Sequence, residues 1–341
     1  MPNLTHKMGV SIRMPDKAQF SSLSLVYPPV SNQEMYWLMN DLGVEEELRR
    51  SDFYMVVGRA EAKFQILEVD QASGDARLRL TVLGGPEAHG VLRPGKVPGA
   101  ANAPNLMLEG GDKILQVWDR PKEEPGAELL DWFTTEKFLY DRSHNHPALH
   151  EFDNYRELAT YDLFYVGIAK KGDSFQRLVE NGHKKRMDIL ANEPQRHPHS
   201  RVSDETYLLF FTIRTFGVQT FRLGDDMSEV GVDFTHDRKR IVADAEKAFV
   251  NLLSPRYNNQ KYTAYPRSID GLYDSGLRAY AYVIDENIVL NTGTATIKGA
   301  HDQLHPISNN ADGIFIQGED VRLIAGKDFK SKRSANGCWL Q

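Results

Sequence analysis

The chain has 341 residues, 41% hydrophobic and 26% charged, with a formal net charge of −6 and a single cysteine, Cys338. That length exceeds what one core comfortably holds, and the lone cysteine excludes an internal disulfide framework and fits a reducing cytoplasm. The negative balance excludes a protein that coats nucleic acid with its whole surface, and no apolar run approaches the roughly 20 residues of a membrane helix, so a cytoplasmic protein is expected.

Residues 1–145 read as a β-rich domain of unknown role. The run "NQEMYWLMNDLGVEEELRR" predicts its clearest helix, interrupted at Gly43. "FYMVVGRAEAKFQILEVD" and "DARLRLTVLGG" carry short apolar or alternating runs broken by Ser-Gly and Gly-Gly, the pattern of strands. "GVLRPGKVPGAANAP" predicts a long loop, and "DRPKEEPGAELLDWF" a loop that runs into a short helix. "HNHPALH", with His144, His146 and His150, resembles a metal cluster but lacks cysteine and sits beside Pro147, which favours a solvated loop. The same holds for His197 and His199 in "RHPHS".

Residues 146–270 behave differently. "YDLFYVGIA" predicts a buried strand, with Tyr161, Leu163, Tyr165 and Gly167 on one face and Phe164, Val166 and Ile168 on the other. Asp173 with Gln176 three residues on forms a capping box for the helix "SFQRLVEN", which stops at Asn181-Gly182. Between Lys170 and Arg201 stand eight basic and four acidic residues, a local surplus suited to a phosphate backbone; Lys170, Lys171, Lys184, Lys185 and Arg186 are the candidate nucleic-acid-binding residues. "ETYLLFFTIRTF" predicts a second buried strand. In "AEKAFVNLLSPRYN", Ile241, Ala245, Ala248, Phe249 and Leu252 recur at helical spacing, yet Glu246 sits at the edge of that apolar face. A carboxylate there is costly unless a cation meets it. From 271 to 341, "RAYAYVIDENIVLNTGTATIKG" and "GIFIQGEDVRLIAG" predict strands with hairpin spacing, a C-terminal extension that packs on one of the other two parts.

"FYVGIA" with "SFQRL", and later "AEKAFVNLLSPRYN", resemble the GIY-YIG nuclease family over roughly residues 150–265. Tyr165-Val166-Gly167 is similar to the second signature tripeptide, Arg177 to the family arginine, Glu246 to the metal-binding glutamate, and Asn258, 12 residues after Glu246, to the family asparagine. The first signature, Gly-Ile-Tyr, is absent; its tyrosine is commonly the family's general base, and Tyr155, Tyr161 and His183 are the candidates here.

The resemblance implies a small mixed α/β GIY-YIG-like nuclease domain and says nothing of the flanks; with the β-rich N-terminal domain and β-rich tail read from their own patterns, an α+β protein is expected. The resemblance also implies a metal-dependent endonuclease that cuts double-stranded DNA. Glu246 would hold Mg²⁺ or Mn²⁺, Arg177 would clamp the phosphate, and Asn258 would orient Glu246 or a nearby backbone group. The large flanks point to restriction or anti-phage defence. A catalytically degenerate nucleic-acid-binding or sensor protein, or a variant directed at RNA, stays open as the alternative, as does a homo-oligomer or a further protein partner.

Overall fold

The computed structural model describes residues 16–221, 236–305 and 307–326; Cys338 lies outside them. Its main sheet takes β1 (Asp16–Leu25), β2 (Phe53–Gly58), β3 (Thr160–Ile168), β4 (Thr206–Thr220), β5 (Ala279–Ile284), β6 (Val289–Asn291), β7 (Thr296–Lys298), β8 (Gly313–Gln317) and β9 (Asp320–Ile324). In space they run β7-β6-β3-β2-β4-β1-β5-β8-β9, a mixed, nearly closed barrel-like sheet, with the short strand Val30–Ser31 added to β4. The protein is therefore α+β, as expected. Among the described residues no helix is long and apolar enough to cross a membrane.

The apolar run "FYMVVG" explains where β2 sits. All six of its residues are buried, so it needs a neighbour on each edge and cover on each face. β3 and β4 supply the edges, both antiparallel. One face, through Phe53, Met55 and Val57, joins the main core, which includes the helix α2 (Arg238–Leu253). The other, through Tyr54 and Val56, joins a second core with Leu48, Leu178 and Ile189. Those three come from helices at Leu42–Leu48 and Gln176–Glu180 and from α1 (Lys184–Asn192). α2 is buried nearly all round, from Ile241 through Val250, because the curled sheet wraps it.

β2 and β3 are neighbours in space, yet two small antiparallel sheets lie between them in sequence. One joins Ala62–Val69, Ala76–Val82, Glu87–Leu92 and Leu149–Glu151; the other joins Met107–Gly110, Ile114–Trp118 and Leu129–Thr134. The main sheet thus draws strands from all three expected segments, and its limits do not coincide with boundaries at 145 and 270.

Three local expectations are corrected. The helix break falls before Gly43, at Asp41, whose side chain accepts from the N–H groups of Gly43 and Val44 at 2.9 and 3.1 Å and starts a second helix. "LLDWF" is a strand, not a helix, since Leu129–Thr134 pairs with Ile114–Trp118; the helix begins one step later, at Thr135, capped by Thr134. The third concerns the faces of β3. Leu163 pairs with Val57 and Tyr165 with Val56, which leaves Phe164 as the extra residue of a bulge. Val166 and Ile168 therefore share the main core with Tyr161 and Leu163, while Phe164 and Tyr165 together face the second core.

Asp312 joins the two open ends of the sheet. Its N–H donates to the Lys298 carbonyl at 2.8 Å, and its carboxylate accepts from the N–H groups of Lys298 at 2.9 Å and Gly326 at 3.0 Å. Asp312→Ala strands two backbone donors and should cost about 1–3 kcal/mol in urea unfolding; an unchanged midpoint would show that closure does not rest on this carboxylate.

Candidate active site

β6 pairs with β3 only over Thr160–Asp162, so the far half of β3 is an open edge. Asn258 covers it. Its Oδ1 accepts the Val166 N–H at 3.0 Å and its Nδ2 donates to the Val166 carbonyl at 2.8 Å. A single carboxamide thus mimics one residue of a missing strand, and the Tyr257 N–H adds a bond to the Phe164 carbonyl at 3.0 Å. Of the two roles expected for Asn258, the structure displays the one toward backbone.

Across the other edge of β3, Gly167 pairs with Tyr54 of β2. A methyl group on Gly167 would lie 2.6 Å from the Tyr165 ring and 2.7 Å from the Tyr54 ring and hydroxyl. Glycine is required there because both tyrosines close over it. The ring centroids of Tyr54 and Tyr165 are 6.2 Å apart, and His183 lies 5.7 Å from the first and 5.4 Å from the second.

The Asp173 side chain accepts from the Gln176 N–H at 2.8 Å, as its capping position predicts, and the following turn, Gln176–Glu180, is π-helical. That turn carries Arg177, whose Nε donates to the Tyr54 hydroxyl at 2.9 Å. The Tyr54 oxygen in turn stands 3.2 Å from His183 Nε2. A phenol oxygen can accept twice, so while Arg177 donates to Tyr54 the Tyr54 proton can go to Nε2 or toward Tyr165, and His183 Nδ1 is buried with no partner among the described residues. Burial first, and then the Arg177 charge, hold the His183 imidazole down to about 4, so it is neutral at physiological pH. Burial pushes both tyrosine hydroxyls above their usual value, and Arg177 offsets part of this at each.

Glu246 reaches the same cluster from α2. It is 8% exposed, its Oε2 accepts from the Tyr262 hydroxyl at 3.3 Å, and burial raises its pKa while Lys170, Lys247 and Arg177 counteract the rise. Its charge is felt at Tyr165 and at Tyr54. Two clefts open beside this helix. One, of about 380 Å³, is lined by Lys170, Lys239 and Arg240 with Asp52 and Asp270; the other, of about 400 Å³, by Lys261 and by Lys247 and Arg267, which pair with Asp270 and Glu319.

The structure therefore gathers Tyr165, Arg177, His183 and Glu246, with Asn258 on the adjoining strand edge. Tyr155 is elsewhere: it begins a short helix, Tyr155–Leu158, and packs on the main core beneath the Arg142 guanidinium. Tyr161 is buried against Arg59 and Tyr207 on the opposite face of β3. Among the basic candidates, Lys170, Lys171 and Lys184 are exposed. Lys185 is held by Asn259 and Asp188, and Arg186 is committed to Asn32 and the Leu178 carbonyl. The histidines of "HNHPALH" do not converge: His144 stacks on Tyr140, His146 meets Asp131, and His150 bonds to the Pro147 carbonyl.

Sequence reasoning missed Tyr54 and Tyr262. For Tyr54 the one signal is a second Phe-Tyr heading an apolar run, at 53–54 as at 164–165. Comparison with protein-family models, curated proteins and solved structures finds no match to this chain.

The His183 environment is directly measurable. In an NMR titration its ring should stay neutral from pH 8 down to 5, and Arg177→Gln should move its pKa up toward 6.5, because a cation that disfavours the imidazolium is removed. A wild-type midpoint near 6.5 would place His183 outside this cluster.

Proposed function

We propose that the chain is a metal-dependent endonuclease that hydrolyses phosphodiester bonds in double-stranded DNA, with Mg²⁺ or Mn²⁺ as its cation and a role in restriction or anti-phage defence. One observation carries this reading: Tyr54, Tyr165, Arg177, His183 and Glu246 come from separate elements and are brought together on the side of Gly167 where the two tyrosines lie.

The chemistry follows from the groups present. The guanidinium of Arg177 stands beside both tyrosines, where it can meet the charge that builds on a phosphate under attack. The Tyr54 hydroxyl, held between Arg177 and the neutral His183, is placed to orient an attacking water and exchange a proton with it, with the Arg177 charge offsetting what builds on its oxygen. The site thus supports Tyr54, rather than Tyr155 or Tyr161, in the role of the tyrosine that the sequence lacks beside Tyr165.

Among the described residues no three histidine, cysteine or carboxylate side chains gather as a metal-binding group. A cation would rest on Glu246, water and the substrate phosphate, a set that suits Mg²⁺, which keeps most of its waters, and does not suit zinc. When bound, it supplies Lewis-acid polarisation of the phosphate. The exposed Lys170 and Lys239 suit the flanking phosphates.

The test is cleavage of plasmid DNA with Mg²⁺, Mn²⁺ or EDTA by wild type and by Glu246→Gln, which should be inactive. The same variant should melt higher at pH 8. A buried carboxyl with a raised pKa contributes stability that is present below its ordinary 4.5 and lost as pH rises through the folded value, so wild type carries the cost of a buried charge that glutamine lacks. The difference should vanish near pH 4. Wild-type cleavage by Glu246→Gln would refute the metal assignment.

A further inference from the structure

A cavity of about 470 Å³ opens beyond the Gly58 end of β2, between the helix Asn32–Leu38, the three-stranded sheet and the turn at Arg201–Asp204. Trp37 and Trp132 both line it. Trp37 is 67% exposed and stacks on no other ring among the described residues, an unusual position for the largest apolar side chain.

The charges of the wall are nearly all answered. Glu61 pairs with Lys113, Asp204 with Lys113 and Arg201, and Glu136 with Arg59. The Lys137 ammonium lies 5.5 Å over the Trp132 ring, so a cation is already seated there. Glu34 alone has no cationic partner among the described residues. Burial and the neighbouring Glu136 push its carboxyl up to about 8, so that it is largely protonated at neutral pH and can both donate and accept a hydrogen bond. With the Gln33 and Gln116 amides, the cavity offers neutral donors and acceptors beside aromatic faces.

A cage for an organic cation needs unanswered negative charge, and this cavity holds little of it. A flat, neutral ligand with a hydrogen-bonding edge fits better. We propose that this cavity binds a nucleobase turned out of the duplex, stacked on Trp37 with its edge read by Glu34 and the neighbouring amides. The proposal rests on the nuclease reading for its biological setting. Glu61, in the cavity wall, is seven residues along from Tyr54, a span of at most about 25 Å, so one bound duplex can reach both places.

The experiment uses the full chain in EDTA, where cleavage plays no part. Adenosine, guanosine, cytidine and thymidine are titrated while tryptophan fluorescence is followed, beside tetramethylammonium. At least one nucleoside should quench saturably with a Kd below about 10 mM, and Trp37→Ala and Glu34→Ala should each weaken it by about tenfold or more. Trp37 is exposed, so its replacement leaves the fold intact, with circular dichroism as the control. No saturable quenching by any nucleoside, quenching that Trp37→Ala leaves unchanged, or binding of tetramethylammonium alone overturns the assignment. Nucleoside binding by a protein that cuts no DNA would uphold the pocket and remove the nuclease reading; cleavage without nucleoside binding would do the reverse.

Discussion

Two glycines on adjacent strands set the geometry from which the candidate site follows. The bulge at Phe164 sends two consecutive aromatic rings to the same face of β3, and each needs a place to lie. The Phe164 ring occupies the space above Gly58, where a methyl group would meet it at 2.2 Å. The Tyr165 ring lies at Gly167, together with Tyr54 from the partner strand. Without the bulge, Tyr165 would share a face with Tyr161 and Leu163 and turn into the main core, away from Arg177. Without Gly167, the two tyrosines could not approach one another. Bulges re-aim side chains at the cost of local pairing, and here the lost pairing is confined to one residue.

The open edge of β3 is the second requirement. No strand continues alongside Val166, since the pairing on that edge stops at Asp162. The chain instead satisfies that backbone with the Asn258 carboxamide, which occupies far less room than a strand. This ties the segment after α2 to β3 and so fixes the helix that carries Glu246. Asp244 does the same from the other side, accepting from the Tyr265 and Tyr282 hydroxyls at 2.8 Å each and from the Leu272 N–H at 2.6 Å. A buried carboxylate with three donors is a firm anchor. The two anchors hold α2 within the curled sheet while Glu246 stays at its margin.

Much of this was legible in residue order. The capped turn at Asp173, the strand at Tyr165 and the helix around Glu246 were readable because each depends on neighbours a few residues away; Asn258 was singled out only by a resemblance, and its amide bonds to Val166, 92 residues distant. Tyr54 was not readable, because about 100 residues with two sheets of their own separate it from β3; pairing at that range leaves no periodic trace. The faces of β3 were misread for a different reason: alternation assumes an unbroken pleat, and one extra residue reverses it. "LLDWF" misled because a short apolar run fits helix or strand equally until a partner strand decides. Tyr155 attracted attention by its closeness in sequence to Tyr165, a measure that the intervening turn makes irrelevant.

In the proposed chemistry Tyr54 is the hydroxyl that works beside Tyr165 and Arg177. Single-turnover cleavage by Tyr54→Phe and Tyr155→Phe, compared under one Mg²⁺ concentration, tests that most directly. Each variant removes one oxygen and keeps the ring, so packing is preserved. Loss of a positioned acid–base group should slow Tyr54→Phe by about 100-fold or more, while Tyr155→Phe cuts at the wild-type rate. The opposite pattern, a slow Tyr155→Phe beside an unaffected Tyr54→Phe, would contradict the assignment and with it the role given to the β2–β3 pairing.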